Sequence, residues 1–372
     1  MRVIFTCAGT GGHINPAIAM ANIIKKREPD SEFLFIGTED GLENKLVKNA
    51  GYNIAHIRTG KLLRSLTLKN ITALINAYKG IGDAKKIIKK FKPETVIGTG
   101  GYICGSVMKA AKSLKVPYML HESNAFPGVS IKLLANNAKC TMIGFEDARN
   151  RLNKNANVVY TGTPAKFNEE DILNLNKEEC MKELDINPGN KKIVFVTCGS
   201  QGARKINEIL ISMIGKFQDE DIYFVLVTGD NNYEDVISLK SKIESEVGKN
   251  LDEYIRIEKF VFKMDMMYKI ADLCITRSGA MTISELSLAG RPSILIPLPT
   301  AAENHQFYNA QVLEKVDGAK IIEQKNLTEE VLNELIKEII TDQDKIITMG
   351  NNARKVIVEE VEEKIYECIK TK

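Results

Sequence analysis

The 372-residue chain is 44% hydrophobic and 27% charged, the balance of a soluble globular protein, and it is too long for one ordinary core, so two domains are expected. No stretch approaches the roughly 18 uninterrupted apolar residues that span a bilayer, and nothing before Gly9 resembles a secretory signal. Seven scattered cysteines with no C-x-x-C pair argue against a disulfide framework or a zinc site and for a reducing, cytosolic compartment.

The net charge of +3 hides an asymmetry: residues 1–165 carry 24 Lys and Arg against 11 Asp and Glu, and residues 166–372 carry 27 against 37. A basic half joined to an acidic half suggests two domains facing different partners; no nucleic acid is expected as a partner.

Taken in chain order, apolar runs predict strands at RVIFTC, EFLFIG, NIAHIR, TVIGTG, YMLHE, CTMIGF and NVVYTG, with helical stretches such as Ala17–Arg27 and Ile71–Phe91 between them. The rhythm returns in KIVFVTCG, IYFVLVTG, IRIEKF, LCITRS, SILIPL and AKIIEQ, and the pairs Val331-Leu332, Leu335-Ile336 and Ile339-Ile340 recur on one helix face. Nearly all-apolar strands alternating with helices predict parallel sheets covered on both sides. The fold class is therefore α/β: two Rossmann-like, doubly wound parallel-sheet domains facing a cleft, with ligands at the switch points of strand order. The joint is expected near Gly162-Thr163-Pro164, giving domains 1–163 and 164–349. A last helix at about 350–372 is open to pack on either domain, the first included.

Four strand-to-helix turns are glycine-rich: Ala8-Gly9-Thr10-Gly11-Gly12, Gly98-Thr99-Gly100-Gly101, Cys198-Gly199-Ser200-Gln201-Gly202 and Arg277-Ser278-Gly279. Glycine lets the backbone turn sharply, and free amides at the following helix start favour anionic oxygens. One such turn is as often structural as functional; four, two per half, favour a phosphate-bearing ligand. The dinucleotide fingerprint fails because Ile14 stands where its third glycine belongs, and the P-loop pattern is absent. Thr282-x-x-Glu285 fits a helix capping box, and its carboxylate equally suits both hydroxyls of a ribose.

Five motifs follow in order: Gly9-Thr10-Gly11-Gly12-His13, His121-Glu122-Ser123-Asn124, Gly199-Ser200-Gln201-Gly202-Ala203-Arg204, Arg277 through Glu285, and Glu303-Asn304-His305-Gln306. Together they resemble the MurG family, the UDP-GlcNAc transferases of peptidoglycan synthesis. The resemblance implies the GT-B architecture and transfer of GlcNAc, with inversion, to the 4-hydroxyl of MurNAc in undecaprenyl-pyrophosphoryl-MurNAc-pentapeptide. It implies that Glu285 holds the ribose, that Ala280, Met281 and Thr282 lie beside the nucleotide, and that Ser200, in the turn it shares with Gln201, contacts phosphate. The backbone of Val261 would meet the uracil, and Gln306 would read GlcNAc hydroxyls. From the N-terminal domain, Asn124 and Thr10-Gly11-Gly12 would reach the donor sugar, while Gly100, Gly101 and Tyr102 would hold the acceptor's pyrophosphate. Lys166 stands where the family has arginine; it keeps the charge and loses the bidentate fork.

By the same resemblance, His13 lies where the acceptor hydroxyl meets the donor's anomeric carbon. An ordinary imidazole pKa of about 6.5 suits it as general base or positioning group, with Glu122 as the rival base. No cofactor is required beyond the donor UDP-GlcNAc, and no D-x-D pair lies near the motifs to hold a metal. The implied partners are the lipid-linked acceptor, an anionic membrane surface at the cytoplasmic face, and proteins of the cell-wall machinery. Residues 61–92 carry nine basic side chains against one acid. Within them Leu62, Leu63, Leu66 and Leu68 are candidate lipid contacts, against the alternative of a core-facing helix with a solvated lysine face. The rival functions are a GT-B transferase with another lipid acceptor, a UDP-GlcNAc epimerase, and a non-catalytic nucleotide-binding scaffold.

Overall fold

The computed structural model describes residues 1–60, 68–165, 167–199, 202–217, 219 and 221–371. Seven strands form the first sheet: β1 (Arg2–Thr6), β2 (Glu32–Gly37), β3 (Asn53–His56), β4 (Thr95–Gly98), β5 (Tyr118–Glu122), β6 (Cys140–Ile143) and β7 (Val158–Tyr160). All pairings are parallel, in the order β3-β2-β1-β4-β5-β6-β7. Successive side chains of a strand point to opposite faces, and both faces here are apolar. Ile4, Ile36, Val96 and Leu120 pack under Ala84 and Ile88 of the helix Leu68–Phe91 and Val107 and Ala111 of the helix Cys104–Ser113. Val3, Phe5, Phe35 and Ile97 pack on the other side with Ile14, Met20 and Ile24 of the helix Gly11–Arg27.

The second sheet has six parallel strands: β8 (Lys192–Thr197), β9 (Ile222–Val227), β10 (Ile255–Glu258), β11 (Leu273–Thr276), β12 (Ser293–Leu295) and β13 (Ala319–Ile321). Their order is β10-β9-β8-β11-β12-β13, the arrangement of the first sheet less its last strand. All thirteen strands fall within the apolar runs quoted from the sequence.

The chain divides into two compact units, Met1–Lys166 with Val358–Lys372, and Phe167–Ile357. The first boundary falls three residues beyond the expected joint at 163, and the second falls at 357 rather than 349. The single terminal helix expected at about 350–372 is in fact two. Gln343–Arg354 stays with the second unit, and Val361–Lys370 packs on the first, after Glu360 takes a left-handed backbone with φ of 53°. Ile365 and Ile369 are buried against the first sheet. Each contributes about 1.5–3 kcal/mol. The exposed Arg27–Glu363 pair at 2.7 Å adds at most about 1 kcal/mol, so apolar burial anchors this helix.

In both sheets the strand order reverses once, between β1 and β4 and between β8 and β11. The four glycine-rich turns follow those four strands. They therefore sit at the carboxyl ends of the strands flanking the two switch points, where doubly wound sheets bind ligands.

Candidate active site

In the first unit the turns after β1 and β4 pack on each other. Gly9 and Gly100 have φ of 99° and 109°, and a Cβ on Gly100 would lie 2.6 Å from His13 Nδ1. The helix begins at Gly11 with Thr10 as its N-cap, so His13 occupies the first helical turn and not the bend ahead of it. His13 Nδ1 lies 3.0 Å from the Thr99 carbonyl oxygen, and the Thr99 hydroxyl donates to the His13 carbonyl at 2.6 Å. A carbonyl only accepts, so the proton must sit on Nδ1; in the neutral ring Nε2 then carries the lone pair. Burial lowers the pKa of His13 below the ordinary imidazole value, with the Thr99 carbonyl opposing. The ring is thereby held as a neutral base near pH 7.

Tyr102, half exposed, closes the second turn beside Gly101, whose own Cβ would strike the Ala8 carbonyl at 2.4 Å. Close approach alone therefore demands glycine at 100 and 101. Glu122 is buried at the end of β5. Its Oε1 accepts from the backbone and side-chain nitrogens of Asn124, both at 2.9 Å, and its Oε2 accepts from Gly128 N at 2.8 Å. These bonds commit the carboxylate to holding residues 123–128, and with them Asn124, in place. His121 is fully buried, with its pKa pushed down to about 4 by burial, and its Nε2–H reaches the Gly162 carbonyl at 3.3 Å.

In the second unit, Gly279 is the N-cap of the helix Ala280–Ala289, with extended backbone and no side-chain cap. Thr282 is thus the third helical residue and not a cap, so the capping-box reading of Thr282-x-x-Glu285 is excluded. Ala280, Met281 and Thr282 form the opening turn. Glu285 is buried, and its Oε2 accepts from the Tyr268 hydroxyl at 3.1 Å. Burial, then the Glu285 charge, push the Tyr268 phenol well above its ordinary pKa, so it stays a neutral donor. Arg277 donates to the carbonyls of Ile296 and Pro297 and to the side chain of Gln324, tying the ends of β11 and β12 together. Gln306 is the second residue of the helix His305–Glu314, and its Oε1 accepts from Leu298 N at 2.9 Å. That bond points the amide nitrogen away as a donor. Val261 lies in the loop after β10, between the exposed Phe260 and Phe262. Lys166, Ser200, Gln201, Leu62, Leu63 and Leu66 lie outside the described residues, and Leu68 opens the helix Leu68–Phe91.

The electrostatics of the turns share a pattern. None of the four helices that follow them has an acidic residue in its first turn, unlike Tyr233–Val247 or Glu329–Ile340. At Thr10 and Gly279 no side chain caps the helix, whereas Thr328 and Asp342 cap theirs. Positive helix ends left uncapped and uncompensated favour an anion by about 0.3–1 kcal/mol each at an exposed site. Among the described residues, no group of three or more His, Cys, Asp or Glu side chains is arranged to hold a metal ion.

Residues 3–143 match the glycosyltransferase family 28 N-terminal domain, and residues 193–365 match its C-terminal domain. A protein of Acetivibrio thermocellus is 38% identical over all of this chain and 98% of its own length. It is named UDP-N-acetylglucosamine–N-acetylmuramyl-(pentapeptide) pyrophosphoryl-undecaprenol N-acetylglucosamine transferase. A protein of the same name from Caldanaerobacter subterraneus subsp. tengcongensis is 38% identical over the whole of both chains. The crystal structure of MurG from Acinetobacter baumannii is similar over 100% of this chain and 99% of its own, with TM-score 0.78 and 26% identity. The chain belongs to the MurG family.

Two contacts escaped the motifs by which the sequence resembles MurG. Glu43, fully buried in the segment after β2, accepts from Thr38 N at 3.0 Å and from the Thr38 hydroxyl at 2.8 Å, and meets Gly9 N at 3.4 Å. It braces the turn that leads into the His13 helix in this MurG-family chain, yet nothing local in Glu39-Asp40-Gly41-Leu42-Glu43 marks one carboxylate for burial. Tyr268 lies 17 residues from Glu285, and in the sequence it reads as one more apolar position of a short helix.

Proposed function

We propose that this protein transfers GlcNAc from UDP-GlcNAc to the 4-hydroxyl of MurNAc in undecaprenyl-pyrophosphoryl-MurNAc-pentapeptide, as an inverting glycosyltransferase of peptidoglycan synthesis. The observation that carries this reading is end-to-end identity of 38% with transferases named for that reaction. In the transfer, the 4-hydroxyl oxygen attacks the anomeric carbon from the face opposite UDP. The bond from that carbon to the β-phosphate oxygen breaks, and the hydroxyl proton passes to His13 Nε2.

The Nδ1–Thr99 hydrogen bond supports His13 as the base, because it fixes the tautomer that offers Nε2. The bonds already made by Glu122 favour a loop-holding role over that of rival base. In the second unit, Glu285 takes the ribose, and the backbone at Val261 meets the uracil. The uncapped helix start at Ala280 faces charge growing on the departing pyrophosphate, joined by the turn bearing Ser200 and Gln201. Gln306 and Asn124 read the sugar with Thr10, Gly11 and Gly12. Lys166 supplies a positive charge to the same donor, and Gly100, Gly101 and Tyr102 receive the acceptor's pyrophosphate.

No helix among the described residues is long and apolar enough to cross a membrane. We propose that the protein meets its lipid acceptor peripherally, through a basic face at the cytoplasmic surface. Support comes from the helix Leu68–Phe91, where Ile75 and Tyr78 are 50% and 78% exposed among Lys79, Lys86, Lys89 and Lys90. Leu62, Leu63, Leu66 and Leu68 are proposed as further lipid contacts. The reading is tested by UDP release from UDP-GlcNAc with and without lipid-linked MurNAc-pentapeptide. Release that depends on the acceptor is expected. Free sugar formed without acceptor, or donor binding without turnover, would overturn the reading in favour of an epimerase or a scaffold.

A further inference from the structure

Glu285 is a carboxylate with little exposure, six residues into a helix that begins at Ala280. Such a group must be held by donors, or its burial favours the protonated acid. The Tyr268 hydroxyl is a donor from a different helix, Met264–Ile270, and its 3.1 Å contact crosses from one element to the other. The ring of Tyr268 is itself fixed. It is fully buried, with the rings of Phe167 and Phe195 each 6.0 Å away, tilted at 61° and 80°. Phe195 belongs to β8, so the phenol is locked to the strand beside the switch point, and through it the carboxylate is locked to the sheet.

We propose that Tyr268 is a positioning residue for nucleotide recognition: its hydroxyl holds the Glu285 carboxyl group in one rotamer, aimed at the ribose hydroxyls of the donor. The inference rests on the reading of Glu285 as the ribose ligand and deepens it. A carboxylate has two oxygens with two acceptor sites each, so accepting from the phenol does not exhaust its capacity for sugar hydroxyls. A ribose grip that depends on orientation discriminates against a nucleotide lacking one hydroxyl far more than it strengthens binding overall, because the unmatched carboxylate is left unsatisfied. Tyr268 touches no substrate; it acts through Glu285.

The test compares UDP with 2′-deoxy-UDP by calorimetric titration of the full-length protein, in the wild type, Tyr268→Phe and Glu285→Ala. The wild type is expected to prefer UDP by about tenfold or more, the range that one hydrogen bond to a charged group supplies. Glu285→Ala is expected to bring the preference close to unity, and Tyr268→Phe to bring it below about threefold, with kcat at saturating donor within about twofold of wild type. A second variant carrying 4-aminophenylalanine at position 268 keeps the ring and an N–H donor, and should keep most of the preference. It also serves if the phenylalanine variant does not fold. Full discrimination in Tyr268→Phe, with discrimination lost in Glu285→Ala, would overturn the positioning role and leave the ribose reading standing. Loss of discrimination in the aminophenylalanine variant would reduce Tyr268 to core packing and overturn the proposal. Undiminished discrimination in Glu285→Ala would remove the ribose reading and the proposal together.

Discussion

The two sheets share strand order, switch point and a pair of glycine turns, yet they commit their polar groups differently. In the first unit, His13 and Thr99 are pinned to backbone carbonyls, and the pinning leaves a lone pair on Nε2. In the second, Glu285 is held by a buried phenol that donates to it, and the held group is a hydrogen-bond acceptor. The first arrangement suits moving a proton; the second suits holding a polar ligand without reacting with it. One scaffold thus presents two chemistries, and the difference lies in which side chain follows the turn and what holds it. Charge follows the same division: the half with the imidazole is basic and suits a lipid surface, while the half with the carboxylate is acidic.

This contrast breaks most easily at His13. His13→Ala is expected to lower kcat by about 10²–10⁴-fold while leaving the Kd for UDP-GlcNAc within about twofold. Burial lowers the pKa of His13, so its ring is neutral at pH 7. The wild-type rate should fall on acidification only below the ordinary imidazole range, and the alanine variant should lose that limb of its pH profile. Glu285→Ala is the mirror experiment. Donor affinity, measured by titration calorimetry, should weaken by about tenfold or more while kcat at saturating donor changes far less. Loss of both properties in either variant would erase the division.

Smaller effects sharpen it. Glu43→Gln keeps the volume but weakens the brace on Gly9 and Thr38. A three- to tenfold lower kcat is expected, with donor Kd unchanged and unfolding stability lower by about 1–3 kcal/mol in a urea titration. At the basic face, Tyr78→Glu should weaken sedimentation with anionic vesicles by about fivefold, the worth of one charge near a surface, without changing donor binding.

The strands were legible because burial on both faces leaves an apolar run that nothing else in a polar chain imitates. The glycine turns were legible for a related reason, since few residues tolerate the left-handed backbone of Gly9 and Gly100. Boundaries were harder to read. Gly11-Gly12-His13 reads as loop because glycine is a poor helix former, yet those residues open a helix whose packing is set by Ile14, Ala17 and Met20 farther along. The break between Arg354 and Val361 was hidden by helical spacing on either side of it. Contacts between elements left no trace at all: Glu43 with Gly9, and Tyr268 with Glu285, join residues 34 and 17 apart, and only the folded chain brings them together.

The most direct measurement is nitrogen NMR of the protein labelled with ¹⁵N-histidine, which holds four histidines in all. At pH 7 the His13 ring should be neutral, with its proton on Nδ1 and a bare Nε2, both free and with UDP-GlcNAc bound. A protonated Nε2, as the opposite tautomer or as imidazolium, would contradict the base proposed here.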